Sequence, residues 1–151
     1  MEFFLKLELL RDDWGKMTDL LENTLFNCGE EKYKELETEF EEWLKTPGKE
    51  DSLVDSSSWE IMQEQLLMFF IYTYFCGAVY DNYIYAKAAL AVFSVDWIRE
   101  FCMLRWLMNG RKLFVEDVIE ISYRYAREVE HSDLNLETLI QELDAQSSEL
   151  W

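Results

Sequence analysis

One segment, residues 125–132, concentrates the side chains that could do chemistry. It contains Arg127, Glu128, Glu130 and the only histidine of the chain, His131. Glu128 and His131 form a Glu-x-x-His pair, which on a helix projects to one side, as in di-iron bundles. That architecture needs a second such pair, and a chain with one histidine cannot supply it. We therefore predict no metal site in this chain.

The same segment also fits a structural role. A protonated histidine is favourable near a helix C-terminus, where the helix dipole is negative. Arg124 can pair with Glu120 and Glu128, which lie four residues away in either direction. The segment is therefore either a functional cluster or a latch that joins two successive helices.

A second group of charges interrupts the apolar helix predicted in the middle of the chain. Asp96 and Arg99 are three residues apart and can pair on one helical face. In a buried helix they need partners, which Arg124 or Arg127 could supply across the bundle. The alternative is a solvated helix edge, since charged side chains are rarely fully buried. The candidate functional cluster is accordingly Arg127, Glu128, Glu130, His131, Asp96 and Arg99.

The elements that must position these residues are predicted to be helices. Apolar residues recur at spacings of three and four along most of the chain, which holds one proline and five glycines. The predicted fold is all-α: a single compact bundle of about six helices with a long central helix. We predict one domain over residues 1–151, with an N-terminal helical hairpin at 1–45, a loop at 46–56, core helices at 57–145 and a tail at 146–151.

Helix ends are predicted from breakers and caps. Gly29 separates the first two helices, and Ser57 with Glu60 reads as a capping box for the third. The turn Asp81-Asn82 precedes the central helix, predicted at 83–109. A fifth stripe of apolar residues predicts a helix at 115–129, and a short sixth helix is predicted after it.

The first apolar stripe already runs at Phe3, without a Ser, Thr, Asp or Asn before it. This fits two situations equally. The helix extends upstream in a longer protein, or the N-terminus is an ordinary uncapped one.

The charge is strongly acidic and unevenly distributed. The chain carries 14 basic and 31 acidic side chains, a net charge of −17. Residues 1–60 hold 7 basic and 17 acidic groups, whereas residues 61–112 hold 5 and 4, and residues 113–151 hold 2 and 10. Such acidity disfavours nucleic acid and anionic membranes as partners. It favours a basic partner, such as a lysine-bearing protein, or serves only solubility.

Two further features of the sequence concern membrane association and the cellular compartment. Residues 65–80 carry no charge, but this stretch is shorter than the ~20 residues of a membrane span, so we predict a buried core helix. Cys28, Cys76 and Cys102 are widely spaced and odd in number, which favours free thiols in a reducing cytoplasm. No Cys-x-x-Cys occurs, so no iron–sulfur or zinc site is predicted within this chain.

Residues 59–143 resemble the C-terminal region of bacterial flagellin lysine-N-methylase. The octapeptide 125–132 is the most specific part of the resemblance. The supporting residues are Tyr80-Asp81, Ile98-Arg99, Arg105-Trp106-Leu107, Asn109-Gly110, Glu116-Asp117, Asn135 and Leu136-Glu137.

The resemblance implies methyl transfer from S-adenosylmethionine to lysine amines of flagellin. It also implies a cysteine-rich N-terminal portion with an iron–sulfur centre, and this chain lacks such a segment. We therefore expect the chain alone to be inactive and to need that N-terminal portion as a partner. The resemblance assigns no catalytic or cofactor-binding role to a particular residue of this chain, so these residues are unknown.

Two hypotheses of different classes follow. In the first, the chain is the helical C-terminal domain of a flagellin lysine-N-methylase-like protein, which supports methyl transfer or holds the lysine-bearing substrate. In the second, it is a non-enzymatic, acidic helical interaction module, for example a homodimer, in which some of its 24 aromatic residues form an interface.

Overall fold

The computed structural model describes residues 12–48 and 52–148, and this part of the chain is helical, without regular strands. The predicted all-α class is thus confirmed. The helices are α1 (Asp12–Leu21), α2 (Glu30–Lys45), α3 (Ser56–Phe70), α4 (Ala78–Asp81), α5 (Ile84–Met108), α6 (Val115–Val129) and α7 (Asp133–Ser148). Two π-helical turns, Glu22–Phe26 after α1 and Ile71–Phe75 after α3, extend their helices. The first predicted stripe runs from Phe3 to Leu25, and its part at residues 3–10 lies outside the described residues.

Helix α5 is the centre of the bundle, as predicted. Its Leu90, Ile98 and Phe101 are fully buried, and the helix packs against α3, α6, α7, α1 and α2. Because neighbours cover it on most sides, it is apolar almost all round, which is the composition expected of a buried helix. It therefore holds the outer helices, and their charged faces, in fixed relative positions.

Backbone conformation ends the helices where small or turn-forming residues occur. Asn82 adopts φ 65°, the left-handed conformation that asparagine tolerates, and this gives the predicted corner before α5. Gly29 and Gly110 also have positive φ values, of 93° and 66°, at the start of α2 and after α5. The predicted breaks at Gly29 and at Asp81-Asn82 are confirmed.

The predicted capping box of the third helix is wrong. The N-cap of α3 is Asp55, whose carboxylate accepts a hydrogen bond of 2.8 Å from the Ser58 backbone amide, and Ser58 Oγ accepts one of 3.0 Å from the Asp55 amide. The helix begins two residues earlier than expected, so Ser57 and Glu60 fall inside it. Asp55, two residues upstream of Ser57, supplies the acceptor for the free backbone amide.

The predicted loop at 46–56 contains one ordered pairing. Leu53 and Phe114 form an isolated antiparallel bridge, in which the Val54 amide donates to the Leu113 carbonyl and the Val115 amide to the Ser52 carbonyl, both at 3.0 Å. Residues 52–54 are thereby fixed to the start of α6. At the other end of the chain, α7 runs to Ser148, three residues into the predicted tail. None of the described helices combines the length and hydropathy of a membrane span.

Candidate functional site

The structure places the six candidate residues in two separate groups. Arg127 and Glu128 lie in the last turn of α6, and Glu130 and His131 follow in the turn to α7. Asp96 and Arg99 lie in the middle of α5, beside α2. The two groups therefore do not form one site.

The Glu-x-x-His pair is not on a continuous helix. Helix α6 ends at Val129, so His131 lies beyond it, and the premise that Glu128 and His131 project to one side is wrong. Glu128 is buried, with 3% of its surface exposed, whereas His131 is exposed. The two side chains consequently occupy different environments.

Uncharged side chains join α6 to α7. Ser132 is the residue before α7, and its Oγ accepts a hydrogen bond of 3.2 Å from the amide of Asn135. The side-chain amide of Asn135 in turn donates a bond of 2.8 Å to the backbone carbonyl of Glu128. Both Ser132 and Asn135 are buried. The sequence signal for this joint was a serine three residues before an asparagine at a helix start, a typical N-cap pattern.

Glu130 faces the π-helical turn after α3. Its Oε1 accepts a hydrogen bond of 3.3 Å from the hydroxyl of Tyr74, and burial raises the pKa of Glu130. Burial also raises the pKa of Tyr74. The π turn, which adds a residue per turn, brings this phenol to α6, and π turns are frequent at functional positions. Sequence periodicity gave no sign of it.

A second buried phenol lies next to this contact. Tyr125 on α6 donates a hydrogen bond of 2.9 Å to Ser94 Oγ on α5, and burial raises the pKa of Tyr125. Phe70 packs on both phenols, with ring centroids 5.6 Å from Tyr74 and 5.8 Å from Tyr125. These polar groups fix how α3, α5 and α6 sit on one another, because each buried hydroxyl needs its partner.

A cleft of about 230 Å³ opens between α1 and α6 and includes two of the predicted residues. Within it Arg124 forms ion pairs with Asp13 at 3.2 Å and with Glu120 at 2.7 Å. Arg127 instead lies 5.4 Å above the ring of Tyr123 and donates a hydrogen bond of 3.0 Å to its hydroxyl. The lining of the cleft thus carries both acidic and basic side chains. Its residues are Asp13, Trp14, Glu120, Tyr123, Arg124, Arg127 and Glu128.

Arg99 connects α5 to α2. Its guanidinium lies 2.8 Å from Glu37 and 3.3 Å from both Glu41 and Glu100. Glu100 is buried and accepts a hydrogen bond of 2.7 Å from the hydroxyl of Tyr33, and burial raises its pKa. The sequence pointed to Arg99 but not to its partners on α2, nor to the buried carboxylate of Glu100 that contacts the same helix.

Neither of the predicted cross-bundle partners contacts this cluster. Asp96 lies on the exposed side of α5, where partial desolvation raises its pKa. The arginine of α5 that contacts α6 is Arg105, which pairs with Asp117 at 2.8 Å and with Glu120 at 3.2 Å. The expectation that Asp96 and Arg99 meet Arg124 or Arg127 is thus wrong. Arg99 pairs with glutamates of α2, and Arg105 pairs with carboxylates of α6.

The described residues include no group of three or more His, Cys, Asp and Glu side chains that could hold a metal ion. Cys28, Cys76 and Cys102 are free thiols, and of these Cys102 is buried while Cys76 is exposed. Burial raises the pKa of the Cys102 thiol.

The architecture defines a class: an acidic, all-helical domain with a long buried helix and acidic outer helices. The family model described as the FliB lysine N-methylase C-terminal domain matches residues 1–150, and the chain belongs to this family. The match confirms the resemblance carried by residues 59–143 and extends it across the N-terminal helices. Neither a curated protein nor a solved structure matches the chain significantly.

Proposed function

We propose that this chain holds a lysine-bearing, flagellin-type protein while a methylase acts on it. Membership in the FliB lysine N-methylase C-terminal domain family supports the reaction class. In this proposal the chain alone does not transfer methyl groups. S-adenosylmethionine and the iron–sulfur centre implied by the resemblance belong to a partner portion of the enzyme, in the cytoplasm.

The observation that carries the proposal is a free acidic stripe on α2. Glu31, Glu35 and Glu42 are exposed and recur at helical spacing, so they project from one side of the helix. None of the three makes an ion pair with a residue of the described ranges 12–48 and 52–148. They are therefore available to an external cation.

The remaining glutamates of α2 are engaged within the domain. Glu37 and Glu41 contact Arg99, Glu39 contacts Arg111, and Glu30 contacts Lys34. The helix therefore uses one set of carboxylates to attach itself to α5 and to the turn after α5. It leaves the other set, the stripe, facing solvent.

The stripe suits recognition of lysine amines without tight binding. An exposed ion pair contributes about 0.2–1 kcal/mol, so three carboxylates give modest affinity and strong salt dependence. Acidic surfaces of this kind accelerate encounter with a basic partner more than they slow its dissociation. Such a surface would hold successive lysines of one protein in turn, as a methylase with several target amines requires.

The test compares two triple variants with equal charge changes. E31Q/E35Q/E42Q removes the stripe, and E60Q/E64Q/E137Q removes three exposed carboxylates of α3 and α7. Binding of lysine-rich flagellin is measured at about 50 and about 200 mM salt, where screening differs strongly. We expect the stripe variant to bind several-fold more weakly at low salt and to lose most of the salt dependence. Equal effects of both variants, or no binding of flagellin by the unmodified chain, would contradict the proposal.

A second candidate function is a non-enzymatic interaction module. It is favoured by an unusual number of large apolar side chains at the surface, among them Tyr72 and Tyr80. Melting temperature with added S-adenosylmethionine separates the two classes, since a ligand that binds only the folded state raises it. We expect a rise for the domain joined to its methylase partner and none for the domain alone; no rise in either case would favour the interaction module.

A further inference from the structure

Large apolar side chains are exposed along one stretch of the chain. Ten of them lie between positions 68 and 92, each with 38–91% of its surface exposed. They belong to the end of α3, the π turn Ile71–Phe75, α4 and the first half of α5, elements that contact one another. We call this surface the tyrosine face, and its five most exposed members are Tyr72, Tyr80, Ile84, Tyr85 and Val92. A monomer rarely leaves so much apolar surface uncovered.

The tyrosine face is electrically neutral in an otherwise acidic protein. Asp81 and Lys87 are the only charged residues between positions 66 and 92, and Lys87 Nζ lies 2.5 Å from an Asp81 carboxylate oxygen. The chain as a whole carries a net charge of −17. A basic protein gains no Coulomb attraction at this face, whereas two like-charged copies of the chain repel each other least when these faces meet.

The size of the tyrosine face matches what a stable dimer needs. Ten large side chains that are about half exposed offer roughly 1,000 Å² per copy, at ~200 Å² for each complete side chain. A standard protein interface buries about 800 Å² per partner. Tyrosine is enriched in interfaces because its ring packs while its hydroxyl stays hydrated in the free protein and forms hydrogen bonds in the complex.

We infer that two copies of this chain associate through their tyrosine faces as a symmetric dimer. In a two-fold arrangement the same patch serves both copies, so one neutral, apolar surface is self-complementary. The acidic stripe lies on α2, which contributes no residue to the tyrosine face. The dimer would therefore present two stripes to one substrate. The inference does not depend on the proposed substrate, since the two surfaces share no residue.

Sedimentation analysis of charge variants tests this inference. Y80E/I84E places two carboxylates in the tyrosine face, and I119E/L134E makes the same change at exposed apolar positions on α6 and α7. We expect the unmodified chain and I119E/L134E to sediment at twice the chain mass at about 10 μM, a concentration well above the Kd of a standard interface. Y80E/I84E should dimerise at least tenfold more weakly with an unchanged circular dichroism spectrum.

Thiol reactivity gives a second readout that needs no change in the face. Cys76 is exposed next to the π turn, while Cys102 is buried. In a Cys28→Ser background the labelling rate of Cys76 should fall as protein concentration rises through the dimerisation range, and it should not fall in Y80E/I84E. A monomeric unmodified chain, dissociation of I119E/L134E to the same extent, or a dimer that survives Y80E/I84E would overturn the inference. So would protection of the face by a different protein while the chain stays monomeric.

Discussion

The side-chain amide of Asn135 donates a hydrogen bond of 2.8 Å to the backbone carbonyl of Glu128, which ties the first turn of α7 to the last turn of α6. Both residues are almost completely buried. The contact spans the turn that contains Glu130 and His131, so it sets the direction in which the chain leaves the octapeptide. Any function of that segment depends on this joint.

Removal of this joint should destabilise the protein. Asn135→Ala deprives the Glu128 carbonyl of a buried donor, which costs about 1–3 kcal/mol. The melting temperature should then fall by several degrees, as expected for a domain of this size. Gln141→Ala, an exposed change on the same helix, serves as the control and should shift melting little. Equal melting temperatures for both variants would show that the hydrogen bond is unimportant.

Glu128 and His131 should respond differently to alanine. Glu128 is buried, so Glu128→Ala leaves a gap and should cost about 1–3 kcal/mol of unfolding free energy. His131 is exposed, so His131→Ala should change it by less than about 0.5 kcal/mol. Urea unfolding measures both. Lysine methylation by an enzyme that contains this domain adds the functional readout. Loss of methylation in His131→Ala with unchanged stability would assign the segment to function. Parallel losses of methylation and stability in Glu128→Ala would mark a latch.

Asp117 should be the most sensitive carboxylate of the α5–α6 connection. One of its oxygens accepts a hydrogen bond of 2.8 Å from Arg105, and the other accepts bonds of 3.1 Å from the Phe114 amide and from Asn109. Asp117→Ala removes all three and should cost about 2–3 kcal/mol. The adjacent Glu116→Ala, at an exposed position, should cost less than about 1 kcal/mol. Similar losses from both variants in chemical denaturation would refute this assignment.

Glu100 should make stability depend on pH in a defined direction. Burial raises its pKa above the usual 4.5, so the folded state keeps a proton that the unfolded state releases. The contribution of Glu100 to the free energy of unfolding is therefore fully present below about pH 4.5 and is lost as pH rises through the folded-state pKa. The stability of the unmodified protein relative to Glu100→Gln should fall over that range, measured by denaturation at a series of pH values. If the stability of the unmodified protein relative to Glu100→Gln instead rises with pH, the pKa of Glu100 is not raised in the folded state, and the prediction is wrong.

Local sequence signals predicted the helices well, because helix formation depends on near neighbours. The fifth stripe was expected at 115–129 and α6 has those bounds, while the central helix, expected at 83–109, runs from Ile84 to Met108. The π turns and the Asp55 cap were missed. A π turn breaks the 3.6-residue period and is held by distant packing, as for Tyr74 against Glu130.

The candidate cluster was harder to predict, because partners far apart in sequence are chosen by packing. Arg99 pairs with Glu37, which lies 62 positions away in the sequence. Helix α2 contains seven glutamates, and sequence spacing does not indicate which of them faces Arg99. The same limit applies to Arg105, whose partner Asp117 was noticed only for its resemblance to a family pattern. Charge in the sequence showed that ion pairs would form, but not between which residues.

The sequence by itself determined an acidic chain of helices around one apolar helix, and the octapeptide pointed to the family. Only the tertiary structure decided that Glu128 is buried and His131, three residues later, is exposed. The physical reason is the end of α6 at Val129. Beyond that residue the backbone follows the Ser132 turn, so the side-chain directions no longer obey the helical period from which the sequence pattern was read.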